Sequence, residues 1–453
     1  MKSINPANAQ VIAEYAEHTA VQIEQRLQSA EKAFGQWRSV SIQDRGSLLK
    51  EAGAGFRRKR DELSRLMAME MGKPIAAGEA EVEKCAGACD FFAENAASFL
   101  AQRQIQSDAS RSYVRFDPLG PVLAIMPWNF PIWQVIRFAA PALMAGNVAL
   151  LKHAPNVPGC ALAIERTFTD AKFPPGVFST LLIEDNLAAE KLIGHPAIRA
   201  VTLTGSERAG RAVSAAAGRA LKKTVMELGG SDPFIVLADA DVPSVAARAA
   251  EARCINSGQS CIAAKRFIVE RAIADEFEAA MIAAMAAMKV GDPLDRATQV
   301  GPLARLDLLE TLDRQVRRSV EQGARLRLGG RRRAGKGFFY EPTVLADVRA
   351  GMAAFDEETF GPVAAVVRAN DAADAVRLAN CSRYGLGASI WTRDIDRAQI
   401  LAGDMESGAV FVNGIVKSDA RLPFGGVKNS GWGRELSQFG IYEFVNIKTI
   451  WVK

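Results

Sequence analysis

The stretch VLAIMPWNFPIWQVIRFAAPALMAGNVALL, residues 122–151, decides the fold. Residues 122–126 form a short apolar run of strand length, and the proline-bounded residues 127–131 break it. Residues 133–144 then carry apolar side chains at helical spacing, and residues 148–151 are apolar again. A buried strand, a helix and a second buried strand in so short a span make a βαβ unit with parallel strands. The alternation continues outward. Residues 177–183, 200–204 and 224–228 read as buried strands, and residues 159–171 and 208–219 as helices. This predicts a parallel sheet covered on both faces, with ligands at the C-terminal ends of its strands. A second α/β run begins at Asp232-Pro233-Phe234-Ile235-Val236-Leu237 and continues past Phe424.

Upstream, helical patterning covers residues 21–37, 47–71 and 79–100, with Gly72-Lys73-Pro74 as a stop. Residues 110–116 alternate polar and apolar, predicting a strand exposed on one face. No internal repeat or low-complexity linker divides the chain.

The 453 residues are 49% apolar and 24% charged, a globular composition long enough for two or three packed units. Net charge is only +5, and the longest basic run, Arg331 to Arg333, reads as a solvated loop. No basic patch interleaves with aromatics, which argues against nucleic acid as a partner. The first residues lack the apolar run of a signal peptide. The apolar helical stretch 279–288 falls short of the ~20 residues that span a bilayer. Six cysteines without a disulfide framework suit a reducing compartment, so a cytoplasmic protein is expected. Three scattered histidines with no HExxH argue against a metal site.

Three separated elements can carry chemistry. In Gly258-Gln259-Ser260-Cys261 a thiol, the best side-chain nucleophile near neutral pH, follows a glycine that permits close backbone approach. Alone, such a cysteine is as readily a small buried hydrophobe; Cys254 reads as packing of this kind. In Glu227-Leu228-Gly229-Gly230 a carboxylate at a strand end faces a crevice where it can act as a general base, or else is a surface or capping glutamate. In Pro127-Trp128-Asn129-Phe130-Pro131 the Asn129 amide can donate to a developing oxyanion, or the segment is simply a turn with packed aromatics.

In this order and together, the three elements resemble the aldehyde dehydrogenase superfamily. Thr204-Gly205-Ser206, Glu357-Glu358-Thr359-Phe360-Gly361-Pro362 and Pro423-Phe424-Gly425-Gly426 extend the likeness over essentially the whole chain. The resemblance implies a Rossmann-type cofactor domain (1–103 and 119–229), an α/β catalytic domain (230–428) and a small β oligomerisation element (104–118 and 429–453). It also implies that Cys261 attacks an aldehyde, that Asn129 and the Cys261 N–H hold the oxyanion, and that Glu227 activates water against the thioester.

The cofactor implied is NAD or NADP. Gly205 and Ser206 open a helix whose free N–H groups attract phosphate. By resemblance Lys152 reaches the adenosine ribose, Glu358 and Phe360 hold the nicotinamide ribose and ring, and Met126, Pro127, Trp128 and Leu228 complete the site. NAD-preferring relatives carry a glutamate three residues after the lysine; Pro155 stands there, so the 2′-phosphate of NADP is tolerated.

For substrate, Arg137 and Ser418 resemble the arginine and serine with which succinate semialdehyde dehydrogenases hold a distal carboxylate. Some of these place a second arginine where Ile255 stands; Arg253 is the nearest substitute. The implied partner is a small aldehyde with a distal carboxylate, and the implied assembly a homodimer or tetramer. Glutarate semialdehyde, plain aliphatic aldehydes, a CoA-acylating reaction and a non-catalytic dinucleotide-binding protein are the alternatives. Glu227 argues against the CoA route, and the three elements together argue against a dead scaffold.

Overall fold

The computed structural model describes the backbone of residues 1–453 and all side chains except those of Asn186, Leu187 and Ala188. Its first large sheet has six strands, in the order Gly431–Trp432, Lys223–Glu227, Ala200–Thr204, Pro121–Met126, Val148–His153 and Phe178–Thr180. The last five are parallel, with Val122 opposite both Ala149 and Ala200. The short Gly431–Trp432 strand adds antiparallel to Lys223–Glu227. The chain moves outward from Pro121–Met126 through two strands, then returns to lay Ala200–Thr204 on the other side. Between those two strands lies a topological switch point, where sheets of this kind leave a crevice.

Helix Trp133–Met144 connects the first two parallel strands and is buried along its entire length, including Arg137. It lies beneath the long helix Ile75–Phe99, whose buried face includes Glu81, Val82, Cys85 and Phe92. Such a helix has no solvated side, so any charge on it must find a partner inside the protein.

The second sheet has seven strands, in the order Arg325–Leu328, Thr343–Ala346, Val363–Ala369, Arg266–Glu270, Pro233–Val236, Gly387–Trp391 and Ala409–Val412. All are parallel except the edge strand Arg325–Leu328. Strand Arg111–Pro118 pairs with Val445–Val452 along its whole length and with Arg103–Gln104 on the other side, forming a separate three-stranded ribbon.

The structure differs from the sequence pattern in two places. Residues 47–71 are not one helix but parts of two, Ile42–Arg58 and Arg60–Met71, separated at Lys59. Four consecutive cations meet there and reach four different acids: Arg57 to Glu83, Arg58 to Glu51, Lys59 to Asp170 and Arg60 to Asp61. Of residues 177–183 only Phe178–Thr180 pair, because this is the sheet's edge and one neighbour alone holds the strand.

Candidate active site

A cleft of about 340 Å³ opens at the switch point. Pro127, Trp128 and Asn129 follow one strand into it, Thr204, Gly205 and Ser206 follow the next, and Leu228 and Gly229 the third. The second half of the chain contributes Cys261, Arg305, Leu308, Glu358 and Phe360. The structure thus brings together Asn129, Pro127, Trp128, Gly205, Ser206, Leu228, Cys261, Glu358 and Phe360, which the sequence scatters over more than half its length.

The cysteine loop is held in an unusual backbone conformation. After helix Val242–Cys254, three successive residues are left-handed: Asn256 (φ 51°), Ser257 (φ 58°) and Gly258 (φ 78°). Each non-glycine residue there costs about 1–3 kcal/mol, so the surroundings must impose it. They do. Asn256 Nδ2 donates to the Asn129 carbonyl (2.7 Å) and to the Gln259 carbonyl (3.1 Å). Ser257 Oγ accepts from Gly301 N–H (2.8 Å), and Gln259 Oε1 from Ala304 N–H (2.8 Å). A side chain at position 258 would collide with the Gly361 backbone, so glycine is required. Arg253 is fully buried behind the loop and donates to the Gly258 carbonyl (2.7 Å), a supporting role away from the cleft. Cys254 is buried against the Met285 sulfur at 3.7 Å, as packing requires.

Asn129 is buried and faces this loop. Its Nδ2 donates to the Gln259 carbonyl (3.1 Å) and its Oδ1 accepts from Phe130 N–H (3.1 Å). One amide hydrogen is therefore used to fix the side chain, leaving the second for a ligand. Among the described residues no acceptor takes the Cys261 N–H. Two donors thus remain uncommitted beside the thiol, as an oxyanion requires. His153 braces the same segment, its Nε2 lying 2.8 Å from the Pro131 carbonyl.

Cys261 itself is half-buried. Burial pushes its thiol up to about 12, although the positive charges of Arg137 and Lys265 pull the other way. Lys265, which the sequence reading missed, is fully buried under the loop. Its ammonium donates to the carbonyls of Ser260 (3.1 Å), Cys261 (2.9 Å) and Ala263 (3.2 Å) and lies 3.7 Å from Glu358.

Glu227 ends its strand with both carboxylate oxygens buried and without a hydrogen-bond partner. Burial holds its carboxyl well above the usual range; Arg137 draws it down, while Glu435 adds to the rise. Gly229 and Gly230, just beyond it, admit the second half of the chain: a Cβ would stand 2.5 Å from Glu358 Oε2 at the first and 2.6 Å from the Cys261 carbonyl at the second.

Arg137 does not lie free in the pocket. Its guanidinium pairs with Glu435, lies 3.9 Å from Glu227, and sits over the Phe424 ring. Glu435 is a second residue the sequence reading missed. Its only signal there was a position two residues after a glycine in Gly433-Arg434-Glu435. Ser418 is buried, and its Oγ accepts from Trp133 Nε1 (3.1 Å) and from Lys84 Nζ (2.7 Å). Lys84 is the third residue missed.

The rim opposite Cys261 suits a dinucleotide. Helix Glu207–Arg219 points its N-terminus at the cleft, with Ser206 as its cap, the hydroxyl accepting from Ala209 N–H (3.3 Å). Helix N-terminal N–H groups favour phosphate there. Trp128 and Phe360 meet edge to face at 5.7 Å, forming an apolar wall suited to a flat ring. Glu358 accepts from Gly230 N–H (3.0 Å) on the same wall. Lys152 and Met126 stand at adjoining strand ends, Lys152 buried with Glu184 and Asp185 acting on its charge, and neither lines the cleft directly. Gly205 lines the cleft without a side chain, so a ligand can approach its backbone.

A nucleophilic thiol under an uncommitted amide, a buried carboxyl nearby and a helix N-terminus across a cleft describe an aldehyde-oxidising site, and the chain belongs to the aldehyde dehydrogenase family, whose model matches residues 1–450. It is 49% identical over 450 residues to a probable NADP+ succinate-semialdehyde dehydrogenase of Synechocystis, covering 99% of each chain. It is 49% identical to the NAD(P)+ succinate semialdehyde dehydrogenase Sad of Escherichia coli, covering 99% of this chain and 97% of that one. Among solved structures, the succinic semialdehyde dehydrogenase of Streptococcus pyogenes in complex with NADP+ matches with a TM-score of 0.97 at 33% identity, covering 100% and 99%.

Proposed function

We propose that this protein oxidises succinate semialdehyde to succinate with NADP+ or NAD+, through a thioester on Cys261. The observation that carries the reading is the meeting of Cys261 and Asn129 at one cleft, with Glu227 buried just behind its Leu228–Gly229 wall and Arg137 and Ser418 on the adjoining buried helix and loop. The near-half identity to relatives named for that substrate, over the full length, supports it.

The thiol loses its proton and its sulfur attacks the aldehyde carbon. The free Nδ2 hydrogen of Asn129 and the Cys261 N–H receive the oxyanion. The nicotinamide, when bound, supplies the hydride acceptor. Glu227 then takes a proton from water, which attacks the thioester; the acid leaves and the thiol is restored. Burial raises the Glu227 carboxyl above the usual carboxylate range, which strengthens it as a base, while the nearby Arg137 favours its charged form. Lys152, Ser206, Glu358 and Phe360 would hold the cofactor, with Met126, Pro127, Trp128, Gly205 and Leu228 shaping its bed. Pro155 places no carboxylate against a 2′-phosphate, which fits the NADP+ named for relatives.

We assign cofactor binding to residues 1–103 and 119–229, catalysis to 230–428, and association into dimers or tetramers to 104–118 and 429–453. The six cysteines all stand free, which suits the cytoplasm, and among the described residues no helix is long and apolar enough to cross a membrane. The test is a steady-state panel of succinate semialdehyde, glutarate semialdehyde and butanal with both cofactors. Equal kcat/KM for butanal and succinate semialdehyde would remove the distal carboxylate from the reading. Dependence of turnover on CoA would replace hydrolysis by acyl transfer.

A further inference from the structure

The distal carboxylate of a semialdehyde needs a cation with charge to spare, and Arg137 has little. Its guanidinium is paired with Glu435 and shared with Glu227. Lys84, on helix Ile75–Phe99, is differently placed. Its ammonium stands 2.7 Å from Ser418 Oγ and 4.3 Å above the centre of the Trp133 ring. The acids around it are committed elsewhere: Glu81 to Lys73 and Asp419 to Arg421 at 2.6 Å. Among the described residues no carboxylate lies within ion-pair distance of Lys84. Ser418 Oγ already accepts from both Lys84 and Trp133, so its own hydrogen is left to donate outward. A half-buried ammonium with unused hydrogens, beside a hydroxyl with an unused one, forms a two-point anion seat.

We propose that Lys84, together with Ser418, is the specificity-determining residue that binds the distal carboxylate of the substrate, with Arg137 serving chiefly to balance Glu435 and Glu227. This rests on the semialdehyde reading and refines it. The state of the lysine fits the task. Burial and the facing charge of Arg137, from helix Trp133–Met144, lower its pKa to about 8, while Glu81 and Cys85 on its own helix and Asp419 on the loop beside Ser418 pull it up. A carboxylate arriving there would restore the missing opposite charge.

The test compares kcat/KM for succinate semialdehyde and butanal in the wild type, Lys84→Met and Lys84→Arg, between pH 6.5 and 9.5. The ratio of the two values cancels ionisations common to both substrates. In the wild type the ratio should fall as pH rises through about 8, because the ammonium is lost. In Lys84→Met it should be about ten- to a hundred-fold lower at pH 7, carried by KM, and flat with pH. Lys84→Arg should recover most of it and remove the decline. A wild-type ratio that favours succinate semialdehyde and does not fall with pH, or that survives Lys84→Met, overturns the role of Lys84 and leaves the substrate standing. A wild type with no preference for the semialdehyde overturns both. The wild-type pH profile decides the matter even if the variant folds poorly.

Discussion

At the scale of single residues, the catalytic group is organised around donors kept in reserve. Asn129 uses one amide hydrogen to fix itself and keeps one uncommitted, the one the proposed mechanism gives to the oxyanion. Asn129→Ala is therefore expected to lower kcat by about 100- to 1,000-fold, with little change in cofactor affinity measured by fluorescence titration. The thiol is the second case. With its pKa pushed up to about 12, only a small thiolate fraction exists at neutral pH in the free enzyme. The alkylation rate of Cys261 by iodoacetamide should then rise about tenfold per pH unit from 7 to 10 without a plateau. A plateau near pH 8 would mean that the free enzyme already activates the thiol. Glu227 and Asn129 could be read from sequence because each stands at or just past a strand end within two residues of glycine or proline, and Cys261 because it follows a helix within three residues of Gly258. Lys84, Lys265 and Glu435 could not, since a lone charge in a sequence looks like a solvated face. Lys84 meets Ser418 across 334 positions, and only the packing of helices shows that both are inside.

At the scale of elements, helix Trp133–Met144 and the segment before it are positioned by one buried ion pair. Glu81 accepts from the N–H groups of both Ile132 and Trp133 (2.9 Å each), and Lys73 pairs with Glu81 while standing 3.7 Å above the Phe130 ring centre. Removing the lysine leaves a buried carboxylate uncompensated. Lys73→Met should cost about 3–5 kcal/mol in urea unfolding and slow turnover by loosening the Asn129 segment. The βαβ core was legible because its strands and helices repeat with their own periods. Strands Ala200–Thr204 and Pro121–Met126 and helix Trp133–Met144 fall within a residue of their expected limits. The break at Lys59 was not legible, because hydrophobic spacing continues across it and no glycine or proline marks it. The N-terminal hairpin Lys2–Asn5 and Gln10–Glu14 was missed too, being short and largely exposed.

At the scale of the whole molecule, strand Val445–Val452 leaves one edge unpaired and exposes Ile447, Trp451 and Val452. An apolar open edge invites another chain. Replacing Ile447 by Lys and Trp451 by Glu should shift sedimentation toward a smaller species, whereas an unchanged profile would place the contact elsewhere. The C-terminal chain that carries this edge has other duties on its way there. Residues 424–435 supply the ring under Arg137, the glycine beside Glu227, a strand of the first sheet and the glutamate that neutralises Arg137. Nine residues separate that glutamate from the start of the exposed strand, with only a short helix and a single 3-10 turn between. Were a second copy of the chain to pair with that edge, association and turnover would be thermodynamically linked through one tether, since whatever steadies the strand steadies the charge balance around Cys261. Specific activity is expected to decline on dilution below the dissociation constant of the assembly and to return on reconcentration, so that the enzyme's working rate becomes a function of its own abundance.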